Sequence, residues 1–445
     1  MTQPNIENQR GYTIRSALLS TDRTGQSVNI ASSILDFDIY EHLDKPYITA
    51  NFVFNDNYGL IEQIDMQGVE NLALTIESIN KKIIFKNFRI VKISKAVKGD
   101  DRSELIFLDA VEEHAYISNA INVNKAYVGT PSSIISDIAT EHLLKHVNVG
   151  GTTYQGNMKV IVPNMNPIES IKWIQQRATN QDGLPYYIYS TLVDDNLTFD
   201  HLGNMLQKTS NNPDRPYVYS QAPIGYGNNS KEYYTIHSYK YENVENMFSM
   251  VKSGYVGARY EFLNASLGFP EKAKFDAKVD VFDNLNNKNY LSKTQNKYGY
   301  PVDTKIKGED LSAVKSKVIT RIAAANTYAG YGDFKTYGEE VDDAGYKKNI
   351  IGDALKQYMT KSPLSINLNG TPFLMGSGNL TIGTVLRLKF FNSNIAVDTS
   401  NLDIGIDTKK SGDYIIYAAK HSFKIEQYDI SLLCTKIANY TGETL

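Results

Sequence analysis

The sequence predicts a β-rich α+β protein of several domains, with two antiparallel β-barrel domains and inserted mixed α/β domains. Three observations predict it. The 445 residues exceed what one ordinary core organises. One strand pattern occurs near both ends of the chain. Between the two occurrences, apolar residues switch from a spacing of two to spacings of three and four.

The first occurrence runs from Val69–Ile76 through Asn80-Lys81-Lys82 to Ile83–Ile93, then through Lys98–Arg102 to Ser103–Asp109. The second runs from Ile382–Phe390 through Asn392-Ser393-Asn394 to Asp413–Phe423, then through Glu426-Gln427 to Tyr428–Ile437. Both read as strand, polar turn, strand, polar turn, strand, because alternating side chains point to opposite faces of a sheet. Two similar barrels per chain would let a trimer present six similar units around one axis, which suggests symmetry matching rather than catalysis.

Residues 1–112 are assigned to the first barrel domain. Leu35–Tyr40 and Tyr47–Phe54 read as strands around His42–Pro46, where Pro46 breaks the ladder. Residues 113–230 form a mixed α/β domain. Pro131 starts a helix with Ile135, Ile138, Ala139 and His142 on one side. Asn166-Pro167-Ile168-Glu169 combines an N-cap, a proline at the first helical position and a glutamate that closes back. Ile168, Ile171, Ile174 and Ala178 form its buried stripe, and Asp182–Pro185 ends it. Tyr186–Leu192 and Asn196–Phe199 read as a hairpin across Val193-Asp194-Asp195. A short helix, His201–Leu206, follows, and residues 209–230 read as a connector.

Residues 231–283 are the first part of the second barrel. Tyr233–Tyr241 and Tyr255–Leu263 read as strands around a helix, Val244–Lys252, with Gly254 as its C-cap. This order echoes residues 35–54. Residues 284–349 read as an insertion with one helix, Leu311–Ala325. Residues 350–445 complete the second barrel: Ile351, Ala354, Leu355 and Tyr358 mark a helix that stops before Pro363, and Leu364, Ile366 and Leu368 alternate. Ile395–Ser411 is extra relative to the first occurrence.

Composition narrows the function. A formal charge of −3 lacks the basic excess of a stationary DNA binder; it permits a conduit through which DNA slides and does not show one. No apolar run is long enough for a membrane span. Met1–Asn8 lacks the basic flank and apolar core of a signal peptide, so synthesis in a cytoplasm without the usual export is expected. Cys434 is the one cysteine and sits in an alternating apolar run, as a core residue does. The 31 tyrosines suit interfaces, and equally suit half-exposed strands.

No residue set points to chemistry. His142 and His146 are four apart on a predicted helix, but no glutamate follows the first and no third ligand is evident. Carboxylates adjoin at Asp100-Asp101, Glu112-Glu113, Asp194-Asp195, Glu339-Glu340 and Asp342-Asp343. Glycosidases need carboxyls on opposite sides of a sugar, so solvated turns explain these pairs better. Gly225–Gly227 and Gly370–Gly378 lack the Lys-Ser/Thr of a phosphate loop. Lys86, Arg89, Lys92, Lys95 and Lys98, with Lys420 and Lys424, read as charged strand edges that block aggregation, with a channel lining as the alternative. The expectation is no catalytic, cofactor-binding or metal-binding residue and no cofactor.

The order of these parts resembles the baseplate hub protein of contractile-tailed, T-even-like bacteriophages. Asn166–Ala178 followed by Pro185–Tyr189 and Leu197–Phe199, then Gly376–Leu388, then Tyr414–Lys436, carry the resemblance. It covers nearly the whole chain, with no clear counterpart for residues 284–349. It implies a homotrimer whose tube-like domains make a pseudo-sixfold ring. Such a hub joins the tail tube protein to a trimeric central spike among other baseplate proteins. Genome DNA crosses its lumen without specific binding during ejection. It implies a place in the virion tail baseplate, reached after assembly in the host cytoplasm, and no catalytic residues. Two other functions remain open on sequence alone: a phage-tail cell-wall glycan hydrolase, and the equivalent hub of a genome-free contractile injection particle.

Overall fold

The computed structural model describes residues 11–439 apart from 58, 101–102, 155, 213–214, 220–233, 242–246, 264–269, 288–289, 291–304, 314–316, 323–342, 361–362, 377, 392–405 and 426. The first unit contains β1 (Tyr12–Ser20), β2 (Ser27–Asn29), β3 (Ile34–His42), β4 (Thr49–Asp56), α1 (Leu60–Gln63), β5 (Asn71–Ser78), β6 (Ile83–Asp100) and β7 (Ser103–Glu112). Its strands alternate because one face is buried. Phe52, Phe54, Leu72, Leu74, Leu108 and Phe88 meet in one core, and the intervening residues face outward.

The mixed α/β region contains α2 (Glu113–Ala120), β8 (Ala126–Gly129), α3 (Pro131–Leu143), β9 (Val147–Gly150), β10 (Met158–Ile161), α4 (Pro167–Gln175), β11 (Tyr186–Tyr189), β12 (Leu197–His201) and α5 (Leu202–Gln207). Thr130 caps α3 by accepting the Ser133 N–H at 3.2 Å, and Asn166 caps α4 by accepting the Glu169 N–H at 2.8 Å. Ile135, Ile138, Ile171 and Ile174 pack against Ile188 and Phe199 in a separate core.

The remaining chain contains β13 (Tyr217–Tyr219), β14 (Ile236–Tyr241), α6 (Met247–Ser253), β15 (Gly257–Leu263), β16 (Pro270–Asp276), a π-helical turn (Lys278–Asp283), α7 (Asn284–Asn287), β17 (Lys305–Ile306), β18 (Glu309–Asp310), β19 (Val318–Ile322), α8 (Asp343–Thr360), β20 (Leu364–Asn369), α9 (Thr371–Met375), β21 (Val385–Phe390), β22 (Gly412–Lys424) and β23 (Tyr428–Asn439). Gly254, just after α6, has φ +82, the left-handed conformation expected of a helix stop.

The repeat read from the sequence extends to strand order and register. Neighbouring strands in the first unit run β3-β4-β7-β6-β5, and in the second β14-β20-β23-β22-β21. A short helix bridges the same gap in each, α1 between β4 and β5 and α9 between β20 and β21. One irregularity in each compared ladder also matches, although β6–β7 has further skips at Ile93/Lys95 and Lys98/Asp100 and β22–β23 one at Asp413/Tyr414. The ladders β3–β4 and β14–β20 each skip one residue after their first pair, between Ile34 and Asp36 and between Ile236 and Ser238. The ladders β6–β7 and β22–β23 each skip one between Ile90 and Lys92 and between Ile416 and Ala418. Bulges re-aim every later side chain, so matched bulges keep matched faces.

Closure of either unit into a separate barrel is not detected among the described residues, and two other expectations are corrected. The two units join edge to edge, β22 to β3, in one 13-stranded sheet, because the long β22 extends past β21 and exposes backbone that β3 completes. A single bridge, Val218 to Thr235, draws β13 towards the start of β14 without forming a ladder. The echo of residues 35–54 stops at β14, since β15 belongs to a separate sheet with β16 and β19. The segment expected as helix Leu311–Ala325 is a 3-10 turn at Leu311–Ala313 and the strand β19. Val318, Ile319 and Thr320 are β-branched, and that stiffness favours the strand. The Ile395–Ser411 addition lies mostly outside the described residues.

Candidate assembly interface

The internal seam between the two units is an antiparallel ladder from Asp36 opposite Lys424 to His42 opposite Ala418. Phe37, Ile39, His421 and Phe423 point inward from it and are at most 1% exposed. The Phe37 and Phe423 rings stack at 4.4 Å, and Phe423 and Tyr428 at 4.3 Å. On the outer face Asp38 accepts the Ser422 hydroxyl at 2.6 Å and pairs with Lys420 at 2.9 Å. That ion pair is solvated and contributes little.

Glu41 lies at the inward parity of β3 and is buried. One carboxylate oxygen accepts the Leu192 N–H at 2.5 Å and the other the Thr381 hydroxyl at 2.5 Å. His421 Nε2 lies 3.5 Å from Oε1, and its Nδ1 meets the Tyr428 hydroxyl at 2.7 Å. Burial would raise the Glu41 carboxyl. The neighbouring His421 imidazole, the Thr381 hydroxyl and the Leu192 amide outweigh it, and the carboxyl is held below its ordinary range. One side chain thus binds the first unit, the mixed region and the second unit together.

Glu112 does the same between the first unit and the mixed region. Its Oε1 pairs with Lys86 at 3.2 Å, and both side chains are 2% exposed. Lys145 approaches the same oxygen at 3.6 Å, while Oε2 accepts the Ser190 hydroxyl at 2.8 Å and the Ile48 N–H at 3.2 Å. Lys86 also donates to the Asp194 carbonyl at 2.7 Å. Burial raises the Glu112 carboxyl, and the cations around it, Lys86 foremost, bring it below the ordinary value. Burial lowers His114, whose Nε2–H donates to the Pro46 carbonyl at 2.6 Å. His114 is therefore neutral at pH 7, and the positive charge facing Glu112 comes from the lysines.

Among the described residues, the counterparts of the seam strands are paired less completely, although Tyr239 of β14 packs on Tyr219 and Phe390. β5 pairs with β6 only from Ile83 to Arg89, and the outer half of β6, Lys92–Asp100, is paired on the β7 side alone among the described residues. β14 pairs with β20 on one side, and its residues His237, Ser238, Lys240 and Tyr241 are exposed. Among the described residues, these two strand edges, in positions equivalent to the two that meet internally, are therefore unpaired on one side.

The residues singled out from the sequence fall as follows. α3 ends at Leu143, and Leu144 turns into the left-handed region, so His142 and His146 do not share a helical face. His142 instead meets the Tyr127 hydroxyl at 3.3 Å. Glu112 is no solvated turn residue, and its neighbour Glu113 pairs with Arg89 at 3.2 Å. Asp195 is exposed and pairs with Lys145. Asp101, Glu339, Glu340, Asp342 and Gly225–Gly227 lie outside the described residues, as does one residue of Gly370–Gly378. Lys86 is buried inside the sheet and does not guard an edge, whereas Lys92, Lys95 and Lys98 are exposed along the open part of β6. Cys434 is fully buried, and burial pushes its thiol up. Several tyrosines, among them Tyr186, Tyr187 and Tyr428, are buried core residues.

The sequence signal for Glu41 and His421 is a charged or imidazole side chain at the same parity as Phe37, Ile39 and Phe423. Among the described residues, no group of three or more His, Cys, Asp or Glu side chains could hold a metal ion. No described helix is long and apolar enough to cross a membrane.

No protein-family model matches the sequence, and no curated protein matches it. Solved structures do match. The tail protein from Neisseria meningitidis MC58 aligns at TM-score 0.52 with 11% identity, over 96% of this chain and 97% of that one. The 43 kDa tail protein of prophage MuSo2 from Shewanella oneidensis aligns at TM-score 0.50 with 8% identity, over 95% and 98%. End-to-end coverage of both chains at such low identity shows that this protein has the fold of these tail proteins.

Proposed function

We propose that the chain is a structural protein of a phage tail, the baseplate hub that adapts a sixfold tail tube to a threefold central spike. The carrying observation is the duplicated strand unit, matched in strand order and in one bulge of each compared ladder, whose two members are joined edge to edge through β3 and β22. Three such chains bring six similar units around one axis, and one heterologous contact repeated by rotation closes a ring. The fold likeness to two tail proteins supports the reading.

In this proposal residues 1–112 are the first tube-like domain, 113–230 the mixed domain, 231–283 and 350–445 the two parts of the second tube-like domain, and 284–349 an insertion. Its partners are two further copies of itself, the tail tube protein, the central spike protein and other baseplate proteins. Genome DNA passes through the lumen on ejection without specific binding. The protein acts in the virion tail after assembly in the host cytoplasm, and it is not an enzyme. It uses no catalytic residue, metal or cofactor.

Light scattering with negative-stain imaging tests the proposal. The expected result is a trimer with a six-lobed ring; a strict monomer at micromolar concentration with no rings would overturn it. Peptidoglycan zymography should show no clearing, and clearing by the purified chain would favour the hydrolase reading instead.

A further inference from the structure

We propose that the pocket between the outer face of β6 and the mixed region receives an arginine side chain of a partner protein. The proposal concerns a different surface from the ring contact above and stands or falls without it.

The pocket has a volume of about 210 Å³. That is several times the ~30 Å³ that one water occupies in the liquid, and below the ~300 Å³ at which pockets for drug-sized ligands begin. One long side chain is the matching occupant.

Its hydrogen-bonding groups are unbalanced. Among the described residues, Lys145 is the one cation that lines it. An ammonium has three donors. Those of Lys145 face the Asp195 carboxylate at 2.5 Å, the Asp195 carbonyl at 3.0 Å and Glu112 Oε1 at 3.6 Å. No charged donor is left for an anion. Acceptors are in excess. His114 lines the pocket and is 2% exposed. Its Nε2–H is committed to the Pro46 carbonyl, so Nδ1 of the neutral ring can only accept. Nδ1 has no hydrogen-bond partner among the described residues, and it lies 3.8 Å from Glu112 Oε1, itself an acceptor. Asn87 lines the same pocket, and its buried Oδ1 has no partner among the described residues either. A buried acceptor without a donor is costly, so the occupant must bring donors.

The rim shows what those donors are attached to. Phe85 is 53% exposed and Leu144 is 83% exposed. Leu144 holds φ +54 at the end of α3, the left-handed region where glycine is the ordinary residue. A leucine kept in that conformation and left in water is explained by a contact with something outside the chain. Ile83, 67% exposed, shares the face of Phe85 on β6 and extends the apolar surface past the pocket. A free small cation would leave Ile83 uncovered, whereas a segment of a partner chain would cover it. A guanidinium has five donors and no acceptor, its plane stacks on an aromatic ring, and its stem is apolar. Glu113 and Asp195, each with one cationic partner among the described residues, add carboxylate oxygens at the mouth. An arginine in a water-poor pocket ringed by apolar contacts is a common anchor of protein interfaces.

Calorimetric titration of the full chain at pH 7 tests this. The probes are acetyl-Leu-Arg-Leu amide, its lysine and glutamate counterparts, and agmatine, an alkylguanidinium without flanking residues, each up to about 10 mM. The arginine peptide should saturate at one per chain. The lysine peptide and agmatine should bind about tenfold more weakly, and the glutamate peptide should give no isotherm. Phe85→Ala and Asn87→Ala should each weaken the arginine peptide about tenfold. Leu144→Gly accepts the left-handed backbone, so it should weaken binding about fivefold without lowering the melting temperature. That variant keeps the test decisive if another folds poorly. Absence of saturable binding by the arginine peptide would leave the pocket to water and overturn the proposal. Binding unchanged in all three variants, or equal binding of the glutamate peptide, would overturn it as well. Agmatine binding as tightly as the peptide would make this a small-molecule site and overturn the partner. The copy number by light scattering, which decides the ring reading, moves none of these results.

Discussion

Where β22 meets β3, four inward side chains are Phe, Ile, His and Phe, all at most 1% exposed, and a carboxylate is held ionised in the interior. Where the outer half of β6 and β14 run, the same four positions hold Lys, Tyr, Ala and Tyr, with Tyr241 at 43% exposure. The strand order is shared, and so is the bulge at Ile90/Lys92 and Ile416/Ala418. The side chains are not, and the difference follows from covalent linkage. A contact that forms once, within the folding chain, can bury residues that would be insoluble on a free surface. A strand edge that faces solvent needs residues that survive in water.

The strongest ways to break this comparison act on the buried side. Phe423→Ala would leave a ring-sized void beside Phe37 and Tyr428 and should cost about 3–5 kcal/mol in urea unfolding. A loss no greater than that of a surface substitution would refute the sealed seam. Glu112→Ala leaves Lys86 buried beside no carboxylate and should cost about 3–5 kcal/mol, read as a fall in unfolding midpoint.

Acid should sharpen the picture more gradually. His114 has a folded-state value below its ordinary 6.5, so the unfolded chain takes up its proton first and stability falls as pH drops through that value. Glu112 has a folded-state value below its ordinary 4.5, so its contribution is complete above 4.5 and is lost as pH falls through the folded value. Thermal melts from pH 7 downward should therefore show a two-stage decline, and Glu112→Gln should flatten the second stage. A melting temperature constant over that range would contradict both burials.

The smallest expected effect is on the open side. Lys98→Ala should change the stability of the isolated chain by no more than about 0.5 kcal/mol, measured by the same urea titration. A large loss would mean that this edge is already covered within the chain.

Much of this architecture is legible in the residues. Alternation places β3, β4, β7, β20, β22 and β23 close to their observed bounds, since each has one buried face. Asn166-Pro167 marks the start of α4, because cap chemistry is local. What is not legible depends on neighbours distant in sequence. Nothing in β15 declares that it leaves the main sheet, and nothing in β22 declares that its second half will reach β3. Lys86 and Glu112 read singly as surface charges. Each sits at the inward parity of its strand, with Ile84 and Phe88 or with Leu108 and Ala110, and only the pair makes burial tolerable.

The two units also differ in one connection. β3 returns to β4 through residues 43–48, whereas β14 returns to β20 through residues 242–363, which include the small sheet of β15, β16 and β19 and the helix α8. An otherwise duplicated molecule therefore has an appendage on one of its two units, and in the proposed ring every second lobe would carry one. Viewed from the strands the assembly would count to six, and viewed from the appendages it would count to three, so one polypeptide would hold both numbers.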